Sequence, residues 1–112
     1  MSAKFVISKS KNDKFLFNLK AGNGEIILTS QQYEAKSSAE HGIDSVRHNA
    51  PLDERFERKT SKSGDPFFVL TADNGQTIGQ SEMYSSTSAM ENGIASVKKN
   101  APEAKLKDLI AS

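Results

Sequence analysis

Two histidines and an aspartate, His41, Asp44 and His48, share one helical face at i, i+3 and i+7, the kind of grouping that can hold a metal ion. Distance argues against it: seven helical residues place the imidazoles about 10 Å apart along the axis, too far for one ion. Hydroxyls form a second grouping. Ser30, Tyr33 and Ser37 recur as Ser81, Tyr84 and Ser88 just ahead of a helix, where free amides and the helix dipole favour an anion. The structural use of the same residues is capping by the serines and half-buried anchoring by each tyrosine. Lysines form a third. Lys9, Lys11, Lys14, Lys59 and Lys62 mark the first hairpins, and Arg47-His48 and Lys98-Lys99 close the helices, with Lys105 and Lys107 following. Such charges can meet a nucleic acid weakly, or simply complement the helix dipoles.

The remaining chemistry is narrow. The chain has no cysteine, which excludes disulfides, thiol catalysis and thiolate metal sites. It contains no phosphate loop, zinc spacing, dinucleotide fingerprint or nucleophile elbow. The residues therefore predict no catalytic, metal or cofactor site, and point to a non-catalytic interaction or structural module. With 15 basic and 14 acidic residues the formal charge is +1, which disfavours a large nucleic-acid footprint. The longest apolar run, Phe67-Phe68-Val69-Leu70, is far short of a membrane span, and the first residues lack a signal-peptide core. The expectation is a cytoplasmic protein with no membrane partner.

The elements that must position these residues come from a duplication. Residues 4–54 and 55–112 read as two repeats of one unit within a single domain spanning 1–112, offset by 51, with 20 identities over 50 aligned positions and no gap. Each copy predicts three strands and a helix. Phe5 and Ile7 alternate, as do Phe15, Phe17, Leu19 and Ala21, with Phe68, Leu70 and Ala72 matching in the second copy. Asn23-Gly24 and Asn74-Gly75 predict two-residue type I′ turns, and Ile27 and Ile78 face inward on the return strands. Ser37-x-x-Glu40 and Ser88-x-x-Glu91 read as capping boxes. Ala39, Gly42, Ile43, Val46 and Ala50 form an apolar helical stripe, repeated by Met90, Gly93, Ile94, Val97 and Ala101. Asn49 and Asn100 suit a left-handed stop, with a proline two residues on. Gly42 and Gly93 interrupt the stripe at a cost of about 1 kcal/mol each against alanine, which predicts close backbone packing there. Leu106, Leu109 and Ile110 suit a last short strand or a fraying helical turn.

The pattern F-x-x-x-K-S…F-x-L-x-A-G-N-G-E-x-I-L-T-S-x-x-Y…S-A-E-x-G-I-x-S-V-R-x-N-A-P resembles the YegP-like family of small, mostly bacterial proteins. The resemblance covers nearly the whole chain. It implies an α+β fold of tandem β3-α-β repeats, with one antiparallel sheet, two helices, an internal pseudo-twofold and exchanged terminal strands. It carries over no catalytic residue.

Strict alternation leaves Leu16, Ile26, Leu28, Phe67 and Val69 on the sheet face opposite the core, where a sheet covered on one side should be polar. Two readings are open: the sheet curls and, with the terminal segments, buries these residues, or with Tyr33 and Tyr84 they form the candidate interaction surface, for an unknown protein or a small ligand. The chain is expected to be a monomer built as an internal dimer, with weak nucleic-acid binding through the lysine hairpins and basic helix ends as the alternative function.

Overall fold

The structure is a computed structural model and describes residues 3–109. Strands β1 (Lys4–Lys9), β2 (Phe15–Lys20) and β3 (Ile26–Ser30) lead into helix α1 (Lys36–Asn49). Strands β4 (Phe56–Thr60), β5 (Pro66–Thr71) and β6 (Thr77–Gln80) lead into helix α2 (Thr87–Asn100), and β7 (Lys105–Asp108) follows. Leu106 thus lies in a strand, Leu109 follows it, and Ile110 is outside the described residues.

All seven strands form one sheet in the order β4-β5-β6-β3-β2-β1-β7. The two copies join through the antiparallel β3–β6 pair, Thr29 opposite Gln80 and Ser30 opposite Gly79. The sheet is mixed rather than wholly antiparallel, because β7 runs parallel to β1. The reason is connectivity: β7 follows the second helix and crosses to the far edge of the first copy. The chain after α1 enters β4 beside β5, so β4 also serves as the first strand of copy two. Hence β1 is flanked on both sides, while its counterpart β4 is an edge.

Both helix stripes are buried as the spacing requires, and with Phe5, Phe17, Leu19, Phe56, Phe68 and Leu70 they form one core. The local chemistry at the element ends differs from the sequence expectation. Helix α1 starts after Ala35 without a side-chain cap, and α2 is capped by Ser86, whose Oγ accepts from the Ala89 amide at 3.0 Å. Ser37 and Ser88 lie inside the first turns, so neither completes a capping box. Glu91 is drawn instead to Arg58, 2.6 Å from Nε. Asn49 and Asn100 remain helical, and their amides donate to the carbonyl and hydroxyl oxygens of Ser45 and Ser96. Each helix therefore ends where the proline lacks an amide, without a left-handed residue.

The Asn-Gly turns are not type I′ either. Only the glycines take positive φ, +87° at Gly24 and +86° at Gly75. Gly24 donates back to Ala21 and Ala21 to Glu25, which makes a tight turn closed by one left-handed glycine. Each asparagine stays at negative φ because its side chain accepts from the amide two residues on, Glu25 or Gln76 at 3.0 Å.

Candidate functional site

A β-bulge decides which residues reach the uncovered face. Leu19 pairs with Leu28, but Lys20 pairs with Ile26, leaving Ile27 as the extra residue. An extra residue breaks alternation, so Ile27 and Leu28 both turn toward the helices. Leu28, expected on the outer face, is therefore a core residue with no exposure. Its place is set by the other copy. Gly79 occupies the position equivalent to Leu28, and a Cβ there would lie 3.0 Å from Leu28 Cγ. One large and one small residue share the space where the two copies meet.

Tyr33 and Tyr84 also belong to the helix side. Each ring stacks on Phe17 or Phe68 at a centroid distance of 6.3 Å, with interplanar angles of 10° and 11°. Each hydroxyl presses on the helix glycine: a Cβ on Gly42 would lie 2.5 Å from Tyr33 Oη, and Gly93 is crowded by Tyr84 in the same way. This explains both glycines: they admit a tyrosine from the strand-to-helix turn. Burial pushes both phenols above their ordinary value, with Glu82 and Glu25 adding to it at Tyr84. Both phenols are therefore protonated at neutral pH.

The repeated serines are structural too. Ser30 Oγ accepts from the Phe17 amide at 2.8 Å and donates to Gln31 O, and Ser81 does the same with Phe68 and Glu82. His41, Asp44 and His48 are all exposed. His41 borders an open groove of about 640 Å³ that also holds Tyr33, Ser38, Asp73 and Asn74.

On the outer face, one row crosses all seven strands in register: Lys107, Val6, Asn18, Thr29, Gln80, Val69, Glu57. Val6 and Val69 are buried there, at 6% and 5% exposure, yet they lie outside the helix-side core. Polar Asn18, Thr29 and Gln80 separate Val69 from Val6. Leu16 and Phe67 are half-buried near the starts of β2 and β5, which run in opposite directions. The sequence-predicted surface is thus several separate spots rather than one patch.

What the structure does gather is charge. Lys105, Lys4, Lys20 and Ile26 are successive register partners on β7, β1, β2 and β3. Lys4, Lys20 and Lys107 line a groove of about 530 Å³ with Val6, Leu109, Ala21, Gly22 and Gly24. In the sequence Lys107 reads only as a basic residue after the second helix and Lys20 as an outward strand residue, and the site exists only once β7 crosses to β1.

The repeat architecture agrees with known proteins. The family model described as "Domain of unknown function (DUF1508)" matches twice, over residues 10–57 and 61–108. The chain belongs to the DUF1508 family. This DUF1508 chain is 58% identical over 108 residues to a UPF0339 protein of Bordetella pertussis, covering 96% of each. It is 52% identical over 108 residues to the UPF0339 protein YegP of Escherichia coli K12, covering 96% of this chain and 98% of that one. Two solution NMR structures match its fold. A UPF0339 protein from Shewanella oneidensis gives a TM-score of 0.91 at 51% identity, covering 97% of this chain and 92% of that one. The E. coli protein of unknown function yegP gives 0.93 at 51% identity, covering 100% and 97%. Among the described residues, no helix of this DUF1508 protein is long and apolar enough to cross a membrane.

Proposed function

We propose that this protein is a non-catalytic binding module of the bacterial cytoplasm, a monomer that uses the uncovered face of its sheet. The observation that carries this reading is the one-sided architecture. Both helices pack on one face, and the other presents the lysine-lined groove with Val6 at its floor. Repeated polar groups on the helix side are occupied by structural bonds, as at Ser30, Ser45 and Asn49, and the phenols are held protonated. Few groups there are left for chemistry.

Nucleic-acid binding through the hairpins and helix ends draws less support. Lys14 pairs with Glu34, Lys59 with Glu57 and Lys98 with Asp53, while Arg47 bonds the Ala104 carbonyl. A phosphate would have to compete with each.

Shift mapping of the labelled protein against fractionated bacterial extract tests the reading. Perturbations should gather on Lys4, Val6, Lys20 and Lys107. Perturbations confined to α1, α2 or the Tyr33 groove would overturn it, and light scattering showing a stable dimer would overturn the monomer.

A further inference from the structure

Lysines on neighbouring strands stand about 5 Å apart, and like charges directly opposite one another destabilise a sheet. Lys4 has a lysine on both sides, Lys105 on β7 and Lys20 on β2, and Lys107 stands one row away beside Val6. Among the described residues none of the four makes an ion pair, although lysines elsewhere in the molecule do. The row is also peculiar to one copy. Positions equivalent to Lys4, Val6 and Lys20 carry Arg55, Glu57 and Thr71. Of these, Arg55 bonds Asn49 at 3.0 Å, and Thr71 donates to the Arg55 carbonyl at 3.0 Å. The second copy has thus filled this place with internal bonds and an acid, and the first has left it cationic beside a cavity.

Resting on the outer-face reading above, we infer that the groove between β7, β1, β2 and the Ala21–Gly24 turn binds a small ligand carrying a diphosphate. The groove and such a ligand are complementary in charge and size. The groove's lysines, Lys107, Lys4 and Lys20, rise from three adjacent strands whose backbones span about 10 Å, which suits two linked phosphates better than a single carboxylate or a long polyanion. The volume of about 530 Å³ leaves room for an organic body beside the phosphates. Val6, buried, and Leu109, 58% exposed, supply an apolar surface for it at the Lys107 end. A nucleoside diphosphate has this chemistry: anionic at one end, with a flat base to lie on Leu109.

Titration of the labelled full chain with adenosine diphosphate and, separately, inorganic pyrophosphate tests it by NMR. Both should give saturable shifts at Lys4, Lys20, Gly22, Gly24 and Lys107, with the nucleotide binding severalfold tighter. Lys4→Gln and Lys20→Gln should each weaken binding by roughly three- to tenfold, the scale of one solvent-exposed hydrogen bond. Lys59→Gln with Lys62→Gln should leave it unchanged. Loss of one outer-face charge removes repulsion, so these variants keep the native spectrum. No saturable shift at several millimolar of either probe overturns the site. Equal weakening by the hairpin pair overturns it as diffuse attraction, and equal affinity for both probes overturns the apolar portion. If extract components still perturb the outer face when both probes fail, the binding-module reading stands without the diphosphate. Perturbations elsewhere only would remove both.

Discussion

At the residue scale, the tyrosine–glycine pairs show how a helix position is chosen by what enters it from outside. Alanine at an ordinary helical glycine stabilises by about 1 kcal/mol. At Gly42 the added Cβ meets Tyr33 Oη at 2.5 Å and Phe17 Cε2 at 2.9 Å. Gly42→Ala should therefore destabilise by about 1–3 kcal/mol. Adding Tyr33→Phe removes the nearest atom, so the double variant should lose less than the two single changes summed. Urea unfolding of the four proteins checks this. A second residue-scale effect is acid sensitivity. Hydrogen bonds from Arg58 hold the Glu91 carboxyl below its ordinary value, and Lys98 followed by Arg58 does so for Asp53. A depressed folded-state carboxylate contributes stability above its unfolded value, near 4, and loses it as pH falls through the folded one. Glu91→Gln should lower Tm slightly at pH 6–7, with the gap to the parent closing below about pH 4. The effect is small because the pair is solvent-screened. Melting curves from pH 2.5 to 7 measure it, and a gap undiminished at pH 3 would contradict the charge account.

At the element scale, β1 and β4 are the same strand in two settings. β1 is flanked by β2 and β7, and its Val6 and Ile7 are buried. β4 is the sheet edge, and there Glu57 and Arg58 replace Val6 and Ile7, with Arg58 tied to Asp53 and Glu91. Charged residues on an edge prevent pairing with another chain. Replacing both, Glu57→Val with Arg58→Ile, gives the edge β1's residues without β7 to cover it. Light scattering across a concentration series should show larger assemblies than the parent protein forms. Unchanged mass would mean that backbone geometry alone protects β4. Several element ends also depart from their local sequence motifs. A capping box and a left-handed asparagine are options that a local motif offers. Ser86, one position ahead of Thr87, took the cap on α2 because the chain enters that helix two residues earlier than Ser88 suggests. Asn49 was held helical by its bonds to Ser45.

At the scale of the whole molecule, two copies that were once alike have become complementary where they meet. Leu28 fills the space over Gly79, and equal residues at both positions would leave a hole or a clash. Leu28→Ala should cost about 2–5 kcal/mol and Gly79→Ala about 1–3 kcal/mol. Because they share one space, the double variant should cost less than their sum, by about 0.5 kcal/mol or more. Additive losses would show that the positions do not communicate.

The sequence by itself determined the duplication, the order of elements, the inward faces of β1, β2, α1 and α2, and the family. The first three follow from local periodicity and from one unit being written twice, and the family from the resemblance of its motif. It could not determine that Leu28 faces the core, because a bulge shifts alternation only when a partner strand supplies the register. Nor could it gather Lys4, Lys20 and Lys107. Each is an outward residue on its own strand, and only the parallel crossing of β7 onto β1 brings their charges to one groove. Side-chain direction within an element is a short-range property of the chain. Which elements become neighbours is settled by burial of the shared core, and this protein's candidate site depends on that second decision.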